Sequence, residues 1–420
     1  MTTQHKNWAG NYEYQAARVH HPETIEQVQE LVCRSDKVKA LGSRHSFNSI
    51  ADTHHDHISL NQLNKVVALD RERRTVTVEG GMRYGELGEY LNSEGFALHN
   101  MASLPHISVV GACATATHGS GDRNGNLATV VSGLEVVTAD GEIRVLSRHD
   151  SDFAGAVVGL GGVGVVTKIT LDIVPHYQMR QDVYLNLPRT QLEENFEAVL
   201  SSAYSVSLFT TWQTPAFEQV WLKSRVQDKS SFWDMDSFYG AAQATVPTPP
   251  IVEVPVERCT EQMGIHGSWN ERLSHFRMNF IPSFGEELQS EYFVPRQNAL
   301  VAFARIQSLR EALAPYLLIS EIRTIAADDL WMSPCYGQDC VAIHFTWRQN
   351  WEAVQKLLPL IEEQLQPLQA RPHWGKLFTL SPDYVASCYE KLPEFQHLLS
   401  QYDPTGKFRN AFLDQYIFAK

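Results

Sequence analysis

Glu321 and Arg323 stand two residues apart, as do His344 and Thr346. They lie in the stretches Ser320-Glu321-Ile322-Arg323-Thr324 and Ile343-His344-Phe345-Thr346-Trp347, whose β-branched and aromatic content reads as strand. Alternate side chains of a strand share a face. Glu321 therefore points with Arg323, and His344 with Thr346, while Ile343 and Phe345 take the opposite side. Two neighbouring strands of this kind present a carboxylate, a guanidinium, an imidazole and a hydroxyl to one cavity. A mixed set suits a neutral, polyhydroxylated substrate, because every hydroxyl both donates and accepts. The alternative is a solvent-facing sheet with charge pairs across its strands, and these residues alone leave both open.

Gly42-Ser43-Arg44-His45-Ser46-Phe47 follows the apolar run Val38–Leu41. A small, polar turn after a strand exposes several backbone N–H groups, and such a nest suits a pyrophosphate. His45 would then lie beside the bound group. From 100 to 126 the chain is rich in small residues, with Gly111, Ala112, Ala114, Thr115, Ala116 and Thr117 leading into His118-Gly119-Ser120-Gly121. Small side chains let the backbone approach a ligand closely. A third candidate, Arg371-Pro372-His373-Trp374-Gly375-Lys376, reads either as a packed turn or as the source of a cation for a developing anion.

Two patterns are decoys. Gly159-Leu160-Gly161-Gly162-Val163-Gly164 matches G-x-G-x-x-G, but a Rossmann site needs a helix next. Here a β-branched strand follows, so these glycines are expected to form a tight turn against the ligand. His54-His55-Asp56-His57 carries metal-ligand types. No further ligands complete a shell, so it is expected to be a solvated loop, and no metal is expected.

These residues must be held by regular elements. The pattern predicts a helix over Ile25–Arg34, with Ile25, Val28 and Val32 on one face, and another over 84–94. Strands are predicted at Val38–Leu41, Thr75–Glu79, 130–138, 143–146 and 165–174, with a hairpin turn at Asp140-Gly141. After Pro175 aromatic and large apolar residues increase. Residues 226–262 read as a long irregular excursion, followed by strands over 317–324 and 340–347 and a helix over 351–364.

The chain has 420 residues and a net charge of −13, with no basic stripe, which excludes a nucleic-acid partner. No run of 18 apolar residues predicts a membrane span, and the N-terminal residues show no secretory pattern. The six cysteines are scattered without a C-x-x-C pair and read as reduced thiols of a cytoplasmic protein.

Gly42-Ser43-Arg44-His45-Ser46-Phe47-Asn48, Ser103-Leu104-Pro105-His106-Ile107-Ser108, Ala116-Thr117-His118-Gly119-Ser120-Gly121 and His373-Trp374-Gly375-Lys376 occur in this order. Together they resemble the vanillyl-alcohol-oxidase type of FAD oxidoreductase, and within it the bacterial alditol (xylitol) oxidases, over essentially the whole chain. The resemblance implies an α+β, two-domain fold. Residues 1–175, completed by 370–420, would bind FAD, and 176–369 would form a substrate domain with an antiparallel sheet.

It implies covalent FAD attached through His45, with Gly42, Ser43, Arg44, Ser46, Ser103, Ser108, Gly111, Thr115, Thr117, His118, Val166 and His373 around the cofactor. Arg44 stands where many members have glycine, and arginine takes most turn conformations cheaply except those with positive φ. Ser103, Glu321, Arg323, His344, Thr346 and Lys376 would hold a polyol, and Ala102 would leave room for dioxygen at the reactive edge. His344 or Lys376 would take the C1 hydroxyl proton, and Arg323 or Lys376 would offset the negative charge of the reduced ring. The product would be an aldose, with hydrogen peroxide from dioxygen, formed by a monomer. Two other readings are an aldonolactone (gulonolactone-type) oxidase or dehydrogenase, and a flavin-bearing binding protein without turnover.

Overall fold

In the helix Ile25–Arg34, Thr24 caps the first turn by accepting from the Gln27 amide, and Val28, Leu31 and Val32 are buried. That face packs against Val38, Ile58 and Phe408. The computed structural model describes residues 5–228, 233, 235–278 and 287–419. Positions 1–4 of the N-terminal segment, and 229–232 and 234 of the excursion, lie outside the described residues.

Asp56–Ser59 is the central strand of a parallel three-stranded sheet, between Arg18–His20 and Val38–Leu41. This corrects the reading of His54 to His57 as a solvated loop, because Asp56 and His57 are buried strand residues. A charged strand tolerates burial here because Arg18 donates two hydrogen bonds to the Asp56 carboxylate and His20 lies 2.8 Å from it. A separate antiparallel sheet runs Val66–Asp70, Thr75–Glu79, Val165–Asp172, Val131–Val137, Ile143–Ser147. Gly141, at φ 83°, turns the last hairpin. The G-x-G-x-x-G segment is a turn leading into Val165–Asp172, with Gly161 and Gly164 at positive φ.

A ten-stranded antiparallel sheet carries the rest. Its middle strands lie in the order Gln178–Pro188, Ala216–Arg225, Ser205–Thr210, Leu317–Ile325, Cys340–Arg348, Glu287–Pro295. Alternation gives it two unlike faces. Ile322, Ile343, Phe345 and Tyr292 belong to a core shared with the helices Ala299–Ser308 and Trp351–Leu365. The other face carries Phe209, Glu321, His344 and Glu291, which stand opposite one another across four strands.

The C-terminal segment returns to the N-terminal sheets. The Val38 amide donates to the Lys407 carbonyl, and the Lys39 ammonium donates to the Phe408 carbonyl. The Asn410 side-chain amide donates to the carbonyls of Ser49, Ile50 and Asp52. Among the described residues no helix is long and apolar enough to cross a membrane.

Candidate active site

Two neighbouring strands do converge on one cavity. Leu317–Ile325 pairs with Cys340–Arg348 so that Glu321 faces His344. Glu321, Arg323, His344 and Thr346 are each at most 6% exposed, which removes the solvent-facing alternative. The carboxylate at the centre is Glu291, from the adjoining strand Glu287–Pro295 and directly opposite His344. Its Oε1 accepts from Arg323 Nη2 at 2.7 Å, and its Oε2 from Lys376 Nζ at 2.7 Å. His118 Nε2 lies 3.3 Å from Oε1. Burial alone would raise the Glu291 carboxyl, but Lys376, His118 and Arg323 together hold it well below the usual range.

Lys376 also donates to His344 Nδ1 at 2.8 Å. The His344 Nε2–H is therefore the donor to Thr346 Oγ1, 3.0 Å away. Burial, and next the Lys376 charge, push His344 well below its ordinary value, so it is neutral at neutral pH. Arg323 reaches Ser103 Oγ at 3.4 Å and Glu321 Oε1 at 3.5 Å. Two carboxylates and two cations thus share one buried polar wall.

The same cavity extends along Gly42, Ser43, Arg44, His45 and Ser46, past Ser108, Gly111, Thr115, Thr117 and His118, with Val166, His373 and Ala102 also on its wall. Short hydrogen bonds join these segments. Ser43 Oγ accepts from the Ser108 amide, and Asn48 Nδ2 donates to the carbonyls of Trp374 and Lys376. The Phe47 amide donates to the Gly375 carbonyl. The Gly375 amide donates to His373 Nδ1, which leaves His373 Nε2–H facing Thr117 Oγ1 at 3.5 Å. Arg44 has φ 63°, the left-handed region that costs a side chain about 1 kcal/mol. His45 stacks on Trp8, with centroids 5.2 Å apart and planes at 24°. Burial first, then nearby positive groups including Arg83 and Arg44, pull His45 down to about 3.

This wall fits a dinucleotide. A Cβ on Gly42 would meet Ser108 Oγ at 2.7 Å, and one on Gly111 the same atom at 2.6 Å, so a side chain at either position would turn the Ser108 hydroxyl aside. His118 Nε2 and Arg323 Nε each lie beside a carboxylate, 3.3 and 3.5 Å away, without a well-aligned hydrogen bond among the described residues, and both residues line the cavity.

Glu291 is absent from the sequence-based site, as is His275, whose Nε2 lies 2.7 Å from Glu321 Oε1. The alternation Leu288, Ser290, Tyr292, Val294 was the available strand signal for Glu291. For His275, in irregular chain, no local signal exists.

Family models match an FAD binding domain over residues 16–147 and D-arabinono-1,4-lactone oxidase over 169–416. An alditol oxidase from Streptomyces sp. is 45% identical over 416 residues, covering 98% of this chain and 99% of the relative. An L-gulono-1,4-lactone dehydrogenase of Mycobacterium tuberculosis is 28% identical, with 97% of each chain covered. Among solved structures, cholesterol oxidase from B. sterolicum aligns with TM-score 0.79 at 13% identity, over 98% of this chain and 96% of that one. A carbohydrate oxidase from Microdochium nivale aligns with TM-score 0.75 at 16% identity, over 98% and 94%. The fold is that of a flavin-dependent oxidoreductase of the vanillyl-alcohol-oxidase type. The chain belongs, within that class, to the family that holds alditol oxidase and the aldonolactone oxidases.

Proposed function

We propose that this protein is an FAD-dependent alditol oxidase, which oxidises the terminal C1 hydroxyl of polyols such as xylitol and sorbitol to the aldose and reduces dioxygen to hydrogen peroxide. The observation that carries this reading is the wall of alternating donors and acceptors formed by Glu291, Glu321, Arg323, His344, Thr346 and Lys376. Its two carboxylates and two cations cancel, which suits an uncharged substrate studded with hydroxyls. The 45% identity to a Streptomyces alditol oxidase supports the same substrate class.

FAD, when bound, supplies a two-electron acceptor that dioxygen returns to its oxidised form. Gly42, Ser43, Arg44, His45 and Ser46, with Ser108, Gly111, Thr115, Thr117, His118, Val166 and His373, would hold it. His45 would be the point of covalent attachment, through a ring nitrogen to the 8α-methyl. Its neutral imidazole, braced by Trp8, supports that role. In the substrate wall, Glu321 accepts from distal hydroxyls, and Ser103 and Thr346 bind and orient the chain. The neutral His344 takes the C1 hydroxyl proton at Nδ1, once the substrate hydroxyl displaces the Lys376 N–H that Nδ1 accepts. Lys376 and Arg323 stay charged against Glu291 and offset negative charge on the reduced ring. All six cysteines are free thiols, in keeping with a reducing cytoplasm, and the working unit is a monomer.

The test is peroxide release from the purified yellow protein with xylitol, sorbitol and a gulonolactone side by side. Peroxide with the polyols alone is expected. Peroxide with the lactone alone would replace this reading by the aldonolactone oxidase one, which the family match over 169–416 favours. Colour that stays with acid-precipitated protein, and is lost in His45→Ala, tests the attachment.

A further inference from the structure

The site-facing side of the large sheet also carries Lys223, which none of the chemistry above uses. It lies on Ala216–Arg225, opposite Ser205, and is 1% exposed. Its Nζ donates to the carbonyls of Leu273 at 2.7 Å and Ser274 at 2.8 Å, and lies 3.1 Å from His275 Nδ1. Carbonyls only accept. Glu321 Oε1, a carboxylate oxygen that only accepts, lies 2.7 Å from His275 Nε2, so the proton of the neutral ring sits on Nε2 and Nδ1 carries a lone pair. Burial lowers Lys223 to about 7, and at pH 6 its ammonium gives the third N–H to Nδ1.

The imidazole is held in this orientation. It is 5% exposed and meets Phe209 and Trp221 edge-on, with centroids 5.8 and 5.1 Å away. The backbone amides of His275 and Phe276 both donate to the Ser103 carbonyl, so the segment also seats the loop that carries Ser103. Among the described residues, both His275 and Arg323 approach Glu321 at Oε1.

We propose that Lys223 and His275 are positioning residues for Glu321: the ammonium fixes the His275 tautomer, and the Nε2–H so presented engages Oε1 and leaves Oε2 to accept a polyol hydroxyl. The inference rests on the polyol reading of the site. Without the ammonium nothing donates to Nδ1, and the ring can carry its proton there instead. The Nε2 lone pair would then face the carboxylate and push it out of position.

The first experiment reads the tautomer. In protein labelled with nitrogen-15 histidine, with the His275 signals assigned by their absence in His275→Gln, the parent should show the Nε2–H form at pH 6. Lys223→Met should shift it to Nδ1–H. An Nδ1–H form in the parent overturns the proposal whatever the substrate proves to be, so this arm stands apart from the functional reading.

The second experiment is steady-state xylitol oxidation. Lys223→Met should raise KM at least tenfold and change kcat less than threefold. In the His275→Gln background, whose amide always offers a donor, the same substitution should change KM less than twofold. Equal KM effects in both backgrounds, or a loss confined to kcat, overturn the proposal. If Lys223→Met does not fold, His275→Phe and His275→Gln decide. The donor-free phenylalanine should raise KM at least tenfold over the glutamine variant, and equal KM values overturn the proposal.

Discussion

Replacing Glu291 by Gln keeps the shape of the side chain and removes the charge that balances two cations. Both contacts, to Arg323 and to Lys376, are 2.7 Å long. At an effective dielectric of about 20, each is worth about 6 kcal/mol of Coulomb energy, before desolvation takes most of it back. Breaking a buried pair by removing one partner costs about 3–5 kcal/mol. Urea unfolding of the Glu291→Gln variant at pH 7, followed by tryptophan fluorescence, should show a loss of that size. Arg323 cannot shed its proton, but Lys376, already lowered by burial and held up chiefly by Glu291, can. A discharged Lys376 no longer offsets negative charge, and turnover should fall by about 10²–10³-fold. The sign with pH is fixed. Glu291 is depressed below its ordinary 4.5, so its contribution is complete above that value and is lost as pH falls through the folded one. Through Glu291 itself the stability gap between parent and variant should narrow below about pH 4.5, and a Lys376 that discharges in the variant should also narrow it as pH rises from 6 to 8. A loss under about 1 kcal/mol at pH 7, or a gap that widens below pH 4.5, would refute the reasoning.

His344→Ala should lower turnover by about 10²–10⁴-fold, while Thr346→Ala costs less than about tenfold; equal effects in a peroxide assay would sink the assignment of His344 as base. Lys39, fully buried, is pulled by burial down to about 7. The unfolded chain then binds its proton more tightly than the folded one. Parent stability should therefore rise between about pH 7 and 10, with Lys39 contributing up to about 1.4 kcal/mol per unit and Lys223, also lowered to about 7 by burial, a similar share; Lys39→Met should remove about half of the rise. Unfolding curves at pH 7 and 9 check this, and a flat parent profile contradicts it. Gln369 is exposed at φ 59°, where it ends the short helix Gln366–Leu368. Gln369→Gly should stabilise the protein by about 0.5–1 kcal/mol, read as a raised urea midpoint, and a lowered midpoint would show that the left-handed turn carries no strain.

The elements that announce themselves in the sequence are those whose burial matches their pattern. Ile25–Arg34 has a capping threonine and an apolar stripe, and Val165–Asp172 alternates buried and half-buried residues along its length. Glu287–Pro295 hides because one of its faces begins Glu287, Gln289, Glu291, which reads as a solvent face. That face is interior only because Arg323 and Lys376 arrive from distant parts of the chain to neutralise Glu291. Asp56 hides for the same reason, its partners being Arg18 and His20. The two-residue spacing of Glu321 with Arg323 and of His344 with Thr346 is legible because it needs only the period of a strand. That the two strands are neighbours, with Glu291 on a third, is a matter of long-range register and has no local signature.

The return of the C-terminal segment has a consequence for how the protein is made. Val38 and Lys39 satisfy their amide and ammonium on the carbonyls of Lys407 and Phe408, and Asn410 ties down three carbonyls between Ser49 and Asp52. The Lys39–Phe408 contact spans 369 residues of chain and the Asn410–Ser49 contact 361, so the strand Val38–Leu41 waits for its partners while everything between is synthesised. The three-stranded sheet stays unsealed through that interval. A premature stop before Lys407 would leave the Val38 amide and the carbonyls of Ser49, Ile50 and Asp52 without these partners, and the cradle that follows Leu41 would stand on an unsealed strand.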